Sequence, residues 1–270
     1  MSFAANPIPA GRDAVSWPAA IQLGFVDAAA EVRPVTQLGT PRLGVIATLQ
    51  AEAECLRRPG DDSAPLTCVS GGSALRARTG AEQLLADGAV GLVSFGMAIG
   101  LAPILRPGDV VIAESVVLPG GGTVATHPGW RTGLMRRLEG SALNVRIARI
   151  AGSDQPLLSA SAKHRAFQTT FAAAMDTESH AVAAVATAAG LPLLVVRAVA
   201  EPAEAITPAV AFAATGVDGQ TRSLALVGHL AKRPWEIPAA WRYSKNGRMA
   251  LEALRRVAAI GPAPFAFDSI

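Results

Sequence analysis

The sequence predicts an α/β fold, a single domain in which a largely parallel central mixed sheet is flanked by helices in three layers. Apolar runs of strand length alternate with longer helix-like stretches, the pattern of strands and helices in turn along the chain. Gly-rich turns follow several of the runs. Residues 193–201, L-L-V-V-R-A-V-A-E, have no polar face, as expected of a strand buried between two helical layers.

The first strand is expected in L-G-V-I-A-T-L, residues 43 to 49, followed by the polar helix-prone run Q-A-E-A-E-C-L-R-R. Leu66 to Val69 reads as a second strand entering the turn S-G-G-S, and Ala74 to Asp87 as a helix closed by Gly88. Residues 91 to 95, G-L-V-S-F, form a third strand that meets an expected turn, G-M-A-I-G-L-A-P. After R-P-G-D comes the strand V-V-I-A-E-S-V-V. Further on, M-D-T-E-S-H opens an alanine-rich helix that breaks at Gly190 and Pro192 before the strand carrying Arg197 and Glu201. Ligands of such open sheets collect at the carboxyl ends of strands, so Glu178, Arg197 and Glu201 are expected to converge on one cleft.

The chain has 270 residues, half of them hydrophobic, enough for a sizeable core. Its net charge of +3 is too small to indicate nucleic-acid binding. Cys55 and Cys68 have no C-x-x-C spacing, and His127, His164, His180 and His229 show no ligand pairing, so no structural metal is expected. The longest apolar run, Ala181 to Val196, is interrupted by Thr187, Gly190 and Pro192 and is too short to span a bilayer. The N-terminus carries no signal-peptide pattern, and a reduced, cytoplasmic protein is expected. Residues 1–40, rich in Ala and Pro, read as a loosely ordered extension ahead of a domain covering 41–270.

Two carboxylates and a guanidinium on adjacent strand ends suit chemistry that holds a sugar by its hydroxyls, orients a water or anion and protonates a leaving group. The motifs also resemble, in order, those of the nucleoside phosphorylase and nucleosidase superfamily, which includes purine and uridine phosphorylases and methylthioadenosine/S-adenosylhomocysteine nucleosidases. M-D-T-E is similar to the superfamily's E-M-E or D-M-E, and R-A-V-A-E to its R-x-x-S-D. G-V-I-A-T-L-Q-A-E is similar to G-I-I-G-A-M-E-E-E, and S-F-G-M-A-I-G-L-A-P-I-L-R-P-G-D-V-V to T-G-S-A-G-G-L-x-P-x-L-x-x-G-D-I-V. Within the superfamily, V-S-G-G at 69 to 72, G-S-D-Q-P at 152 to 156 and H-L-A-K-R-P-W-E-I-P near the C-terminus look like the hopanoid-associated phosphorylases, thought to remove adenine from adenosylhopane.

The resemblance implies a nucleoside phosphorylase-like fold and cleavage of an N-glycosidic bond in a 5′-substituted adenosine. It implies that Glu52 positions the attacking water, Arg197 orients Glu52 and Glu178 or contacts phosphate, and Glu201 is the acid that assists the departing base. Glu178 and Thr177 would bind the ribose, and Ser153 and Asp154, with Glu201, the base. Ser70, Gly71, Gly96 and Met97 would hold phosphate or water, with Arg76 and Arg78 as candidates to complete an anion site. No cofactor is implied, and inorganic phosphate is a candidate co-substrate. Met97, Ile99, Thr177 and Glu201 depart from the superfamily pattern, which leaves hydrolysis and phosphorolysis both open. They also keep alive two alternatives, a methylthioadenosine/S-adenosylhomocysteine-type nucleosidase or general purine phosphorylase, and a nucleoside-binding protein without activity. The expected partner is a small-molecule nucleoside, lipid-linked in the hopanoid reading, with no nucleic acid, in a homo-oligomer.

Residues 231–257 carry seven Lys and Arg, among them Lys245 and Arg248, against Glu236 and Glu252, interleaved with Trp235, Trp241 and Tyr243. That composition describes either a segment peripheral to the inner membrane or an ordinary amphipathic helix packed on the domain or a second subunit.

Overall fold

The computed structural model describes residues 41–57, 64–207, 228, 230–260 and 264–269. The expected N-terminal extension, residues 1–40, lies outside the described residues. In chain order the elements are β1 (Arg42–Ala47), α1 (Gln50–Glu54), β2 (Leu66–Val69), α2 (Ala74–Ala86), β3 (Ala89–Gly100), β4 (Val110–Val117), β5 (Thr123–Ala125) and α3 (Pro128–Leu138). They continue with β6 (Val145–Gly152), α4 (Ala160–Thr170), β7 (Ala174–Asp176), α5 (Ser179–Ala189), β8 (Leu193–Glu201) and a long C-terminal helix, α6 (Ile237–Ala259).

The eight strands form one mixed sheet in the order β2-β1-β3-β7-β6-β4-β5, with β8 bonded to both β3 and β4. Five of the pairings are parallel and three, β3 with β7, β4 with β5 and β4 with β8, antiparallel. The sheet is therefore largely parallel, as the alternation predicts. Because β8 bridges β3 and β4 while β7 and β6 bridge them on the other side, the strands β3, β8, β4, β6 and β7 close into a ring. β1 and β2 extend from it.

β8 explains the layering. Leu193, Val195 and Val199 face a core shared with Ala77 and Ala81 of α2 and Val182, Val185 and Ala186 of α5. Leu194, Val196 and Ala198 face the opposite core, with Trp130 and Leu134 of α3 and Ala250, Leu254 and Val257 of α6. A strand that alternates between two apolar layers has no solvated face, and residues 193–201 are apolar apart from Arg197 and Glu201, which serve the site.

One expected turn is a strand. Gly96 to Gly100 continues β3, pairing Gly96 with Arg197 and Ile99 with Glu201 on β8 before Ile99 crosses to Met175 on β7. The glycines permit the bend by which β3 passes from one partner to the other. That extension puts Met97 and Ile99 on the same rim as Glu201.

Candidate active site

The carboxyl ends of β1, β2, β3, β7 and β8 surround a cavity of about 280 Å³, whose walls include Thr48, Glu52, Gly71, Gly72, Met97, Ile99, Thr177 and Glu201. An adjoining space of about 670 Å³ shares Glu201, Thr207 and Tyr243 with it.

Glu52 is placed by its own short helix. As the third residue of α1 it reaches back so that Oε2 accepts from the amides of Thr48 and Leu49, each at 2.8 Å, one half of a capping box. Its Oε1 accepts from the Met97 amide at 2.8 Å. A carboxylate offers about four lone-pair positions, so roughly one remains for a ligand or water. Burial pushes the Glu52 carboxyl up to about 7, against the opposing pull of the Met97 and Leu49 amides and Arg197.

Arg197 is wholly buried, its Nε donating to Asp176 Oδ2 at 2.8 Å and its Nη2 to Ser94 Oγ at 2.6 Å and Ser179 Oγ at 3.1 Å. Its Nη1 has no hydrogen-bond partner. A methyl built on Gly96 would lie 2.6 Å from Glu52 Oε2 and 2.7 Å from Arg197 Nη1. Glycine at 96 thus keeps the approach between the carboxylate and the free guanidinium nitrogen clear. Burial disfavours charge on Arg197, but Asp176, Glu178 and Glu52 together hold its pKa above the ordinary value. For Asp176 burial acts upward, and Arg197 with the donors of Ser179 and Glu178 outweighs it, leaving the carboxyl below its usual range.

Glu178, expected at the ribose, is held by three donors. The carboxylate is fully buried and is not one of the cavity walls: Oε1 accepts from Ser70 Oγ and from the Gly72 amide at 2.9 Å, and Oε2 from Thr48 Oγ1 at 2.5 Å. It braces Thr48 and Gly72, which do line the cavity. Burial raises its pKa, with Arg197 and the two hydroxyls pulling down. Thr177 lines the cavity and its hydroxyl donates to Gly72 O at 3.2 Å.

Ser153 and Asp154, expected at the base, stand outside the cavity walls. The Ser153 amide donates to Asp176 O at 3.0 Å and its hydroxyl to Gln155 O at 2.8 Å. Asp154 is largely exposed and faces His180 Nε2 at 3.1 Å. From the same loop it is Pro156 that reaches the cavity.

The S-G-G-S turn is not a free anion cradle. The amides of Ser70, Gly71 and Gly72 donate to Ala47 O, Thr48 O and Glu178 Oε1, and Arg76 is engaged by the Ser70 and Gly71 carbonyls at 2.6 and 3.0 Å. Arg78 lies exposed on α2.

Four contributors escaped sequence reasoning. Asp176 anchors Arg197, and Thr207 donates to Glu201 Oε1 at 2.5 Å. Lys163 of α4 is wholly buried and donates to Glu201 Oε1. Tyr243 of α6 lines the cavity, and burial, with Glu201 and Glu52 nearby, pushes its phenol up to about 12. Among the described residues no group of three His, Cys, Asp or Glu side chains is arranged to hold a metal ion.

The family model described as Phosphorylase superfamily matches residues 64–232, well over half the chain. The chain belongs to the phosphorylase superfamily. It is accordingly an enzyme of the nucleoside phosphorylase or nucleosidase type. No curated protein matches the chain significantly. Among solved structures it is similar to the 5′-methylthioadenosine/S-adenosyl homocysteine nucleosidase of Helicobacter pylori, with 14% identity, a TM-score of 0.59 and coverage of 81% of this chain and 98% of that one. Futalosine hydrolase of Helicobacter pylori has a TM-score of 0.58 at 13% identity, covering 80% and 97%. A putative 5′-methylthioadenosine/S-adenosylhomocysteine nucleosidase of Francisella philomiragia has a TM-score of 0.59 at 16% identity, covering 80% and 95%. At these identities the likeness is one of fold. In this phosphorylase-superfamily chain, then, the expected Glu52, Gly71, Met97, Thr177 and Glu201 line one cavity, Arg197 approaches Glu52 beside Gly96, and Glu178 and Ser70 are bonded to each other outside the cavity walls.

Proposed function

We propose that the protein hydrolyses the N-glycosidic bond of a 5′-substituted adenosine and releases adenine. The observation that carries this reading is Glu52, with a carboxyl pKa of about 7, set across Gly96 from the unpartnered Nη1 of Arg197. Glu52 takes a proton from a water as the water oxygen attacks C1′. The C1′–N bond breaks and its electron pair leaves with the base, which takes a proton from solvent, while Glu52 returns to solvent the one it removed from the water. Arg197 fixes the carboxylate and water in relation to each other.

Water is favoured over phosphate by charge. Asp176, Glu178 and Glu52 all act on the guanidinium of Arg197, so that cation is already committed to carboxyl groups of the protein when an anion arrives. The turn amides that would have cradled it already donate to protein oxygens. The names of the structural relatives, adenosine-type nucleosidases and a futalosine hydrolase, support the same class. In phosphate-free buffer made with ¹⁸O-water, a 5′-alkyl adenosine is expected to yield adenine at full rate and a ¹⁸O-labelled sugar by mass spectrometry. A requirement for phosphate, with a sugar 1-phosphate as product, would replace hydrolysis by phosphorolysis, and no adenine under either condition would sink the reading.

For the finer substrate we infer adenosylhopane. Its support is the resemblance of V-S-G-G, G-S-D-Q-P and the 229–238 segment, together with the outer face of α6 and the turn before it. Trp235 and Trp241 are 73% and 61% exposed, Lys245 lies over the Trp241 ring at 5.9 Å, and Arg242 and Arg248 are exposed beside them. Aromatic rings interleaved with cations suit an anionic bilayer surface, each cation contributing about 1 kcal/mol. No described helix is long and apolar enough to cross a membrane. Co-sedimentation with phosphatidylglycerol vesicles is expected at low salt and is expected to fall when Trp235, Trp241, Lys245 and Arg248 are neutralised or truncated. Protein that stays in the supernatant at every salt concentration, with a dimer mass by light scattering, would assign this face to a second copy.

A further inference from the structure

Helix α4 fully buries one side chain, and it is a lysine. Enclosing an ammonium costs several kcal/mol unless its protons find acceptors, and an apolar side chain would serve packing as well or better. Around Lys163 Nζ stand three oxygens and no donor: Glu201 Oε1, Ala205 O at 2.7 Å and Pro202 O at 3.3 Å. A neutral amine has two N–H groups and would be left with its lone pair against the third oxygen, so this site is built for the ammonium. The countercharge is Glu201, whose Oε1 also receives the Thr207 hydroxyl. Its Oε2 is buried without a partner, and Glu201 is a wall of both the central cavity and the space beside Tyr243. A buried acceptor without a donor is a cost that a ligand N–H removes.

We infer that Lys163 is a positioning residue that holds Glu201 as an ionised acceptor, whose free Oε2 selects a 6-aminopurine over a 6-oxopurine. The inference rests on the reading of the cavity as a purine nucleoside site. Adenine presents N–H groups at C6, whereas a 6-oxopurine presents an oxygen there, whose lone pairs face a carboxylate that can only accept. Glu201 therefore acts on the base by accepting a hydrogen bond. The acid expected from sequence has its Oε1 occupied by the ammonium.

Calorimetry with 9-methyladenine and 9-methylhypoxanthine tests this without turnover, because neither probe carries a sugar to cleave. The wild type is expected to bind 9-methyladenine at least about tenfold more tightly, the lower end of what a hydrogen bond to a charged group contributes. Lys163→Arg keeps a cation and is expected to keep the preference. Lys163→Met removes the ammonium that holds Glu201 Oε1 and is expected to lose the preference. If that variant fails to fold, Lys163→Met/Glu201→Gln has no buried charge at this point, and its amide, both donor and acceptor, is expected to bind the two probes equally. Equal affinities in the wild type, or a tenfold preference that survives in either methionine variant, would overturn the inference. Adenine release that persists alongside equal affinities would leave the hydrolase reading standing, whereas no binding of either probe and no adenine release would sink both.

Discussion

Replacing Glu52 by glutamine is expected to lower kcat/KM by about 10² to 10⁴-fold, the range contributed by a positioned general base. The wild-type profile carries the matching signature. Only the ionised carboxylate can take the proton of water, so kcat/KM rises about tenfold per pH unit below about 7 and levels off above it. Stability moves the opposite way. The folded-state pKa lies above the ordinary 4.5, so the protonated group favours the fold, and that contribution is lost as pH rises from about 4.5 through about 7. The glutamine variant, which does not titrate, is expected to show no corresponding fall of Tm over that window. Initial rates from pH 5 to 9, with thermal melts at the same points, check both. A wild-type profile flat through 7, or wild-type turnover in Glu52→Gln, would remove Glu52 from the chemistry. A binding protein without activity would release no adenine in either form.

Much of the fold was legible because buried strands advertise themselves. β2 and β4 fall where their apolar runs predict, α2 ends one residue before the expected Asp87 with Gly88 at φ +89°, and β8 reads correctly because every position is enclosed. The failure at Gly96–Gly100 has a physical cause: glycines mark a turn in isolation, but here tertiary pairing to β8 and β7 overrides that local preference. Glu178, Arg197 and Glu201 follow from their places near strand ends and Glu52 from the family resemblance, and neither kind of signal says how deep a side chain lies. Arg197 lies four residues before Glu201 within β8 and Glu178 caps α5 two residues after β7 ends; both are fully buried, and neither is a wall of the cavity that Glu201 and Thr177 line. Lys163 gave no signal, since a lysine between Ala162 and His164 on a polar helix is ordinarily solvated. The sequence groups Tyr243 with Trp235 and Trp241, yet helical geometry turns it inward to the cavity while the tryptophans stay in solvent.

Arg197→Met is expected to destabilise the protein and abolish turnover together, and a second substitution is expected to separate the two effects. Removing the guanidinium leaves Asp176, buried and bonded through Oδ2, without its countercharge, and breaking one side of a buried pair costs about 3 to 5 kcal/mol. For a domain of this size that corresponds to a fall in Tm on the order of 10 °C. Adding Asp176→Asn removes the stranded charge while keeping an oxygen for the Glu178 and Ser179 amides that Oδ1 receives at 2.7 Å. Much of the lost Tm is therefore expected to return in the double variant. Activity is not expected to return, because the Nη1 donor facing Glu52 across Gly96 is still missing and the water is no longer held against its base. Differential scanning calorimetry and adenine-release kinetics on the two variants decide between the roles. Recovery of both Tm and kcat/KM in Arg197→Met/Asp176→Asn would make Arg197 a packing element, whereas recovered stability with turnover still down by about a hundredfold or more would place the guanidinium in the hydrolytic step.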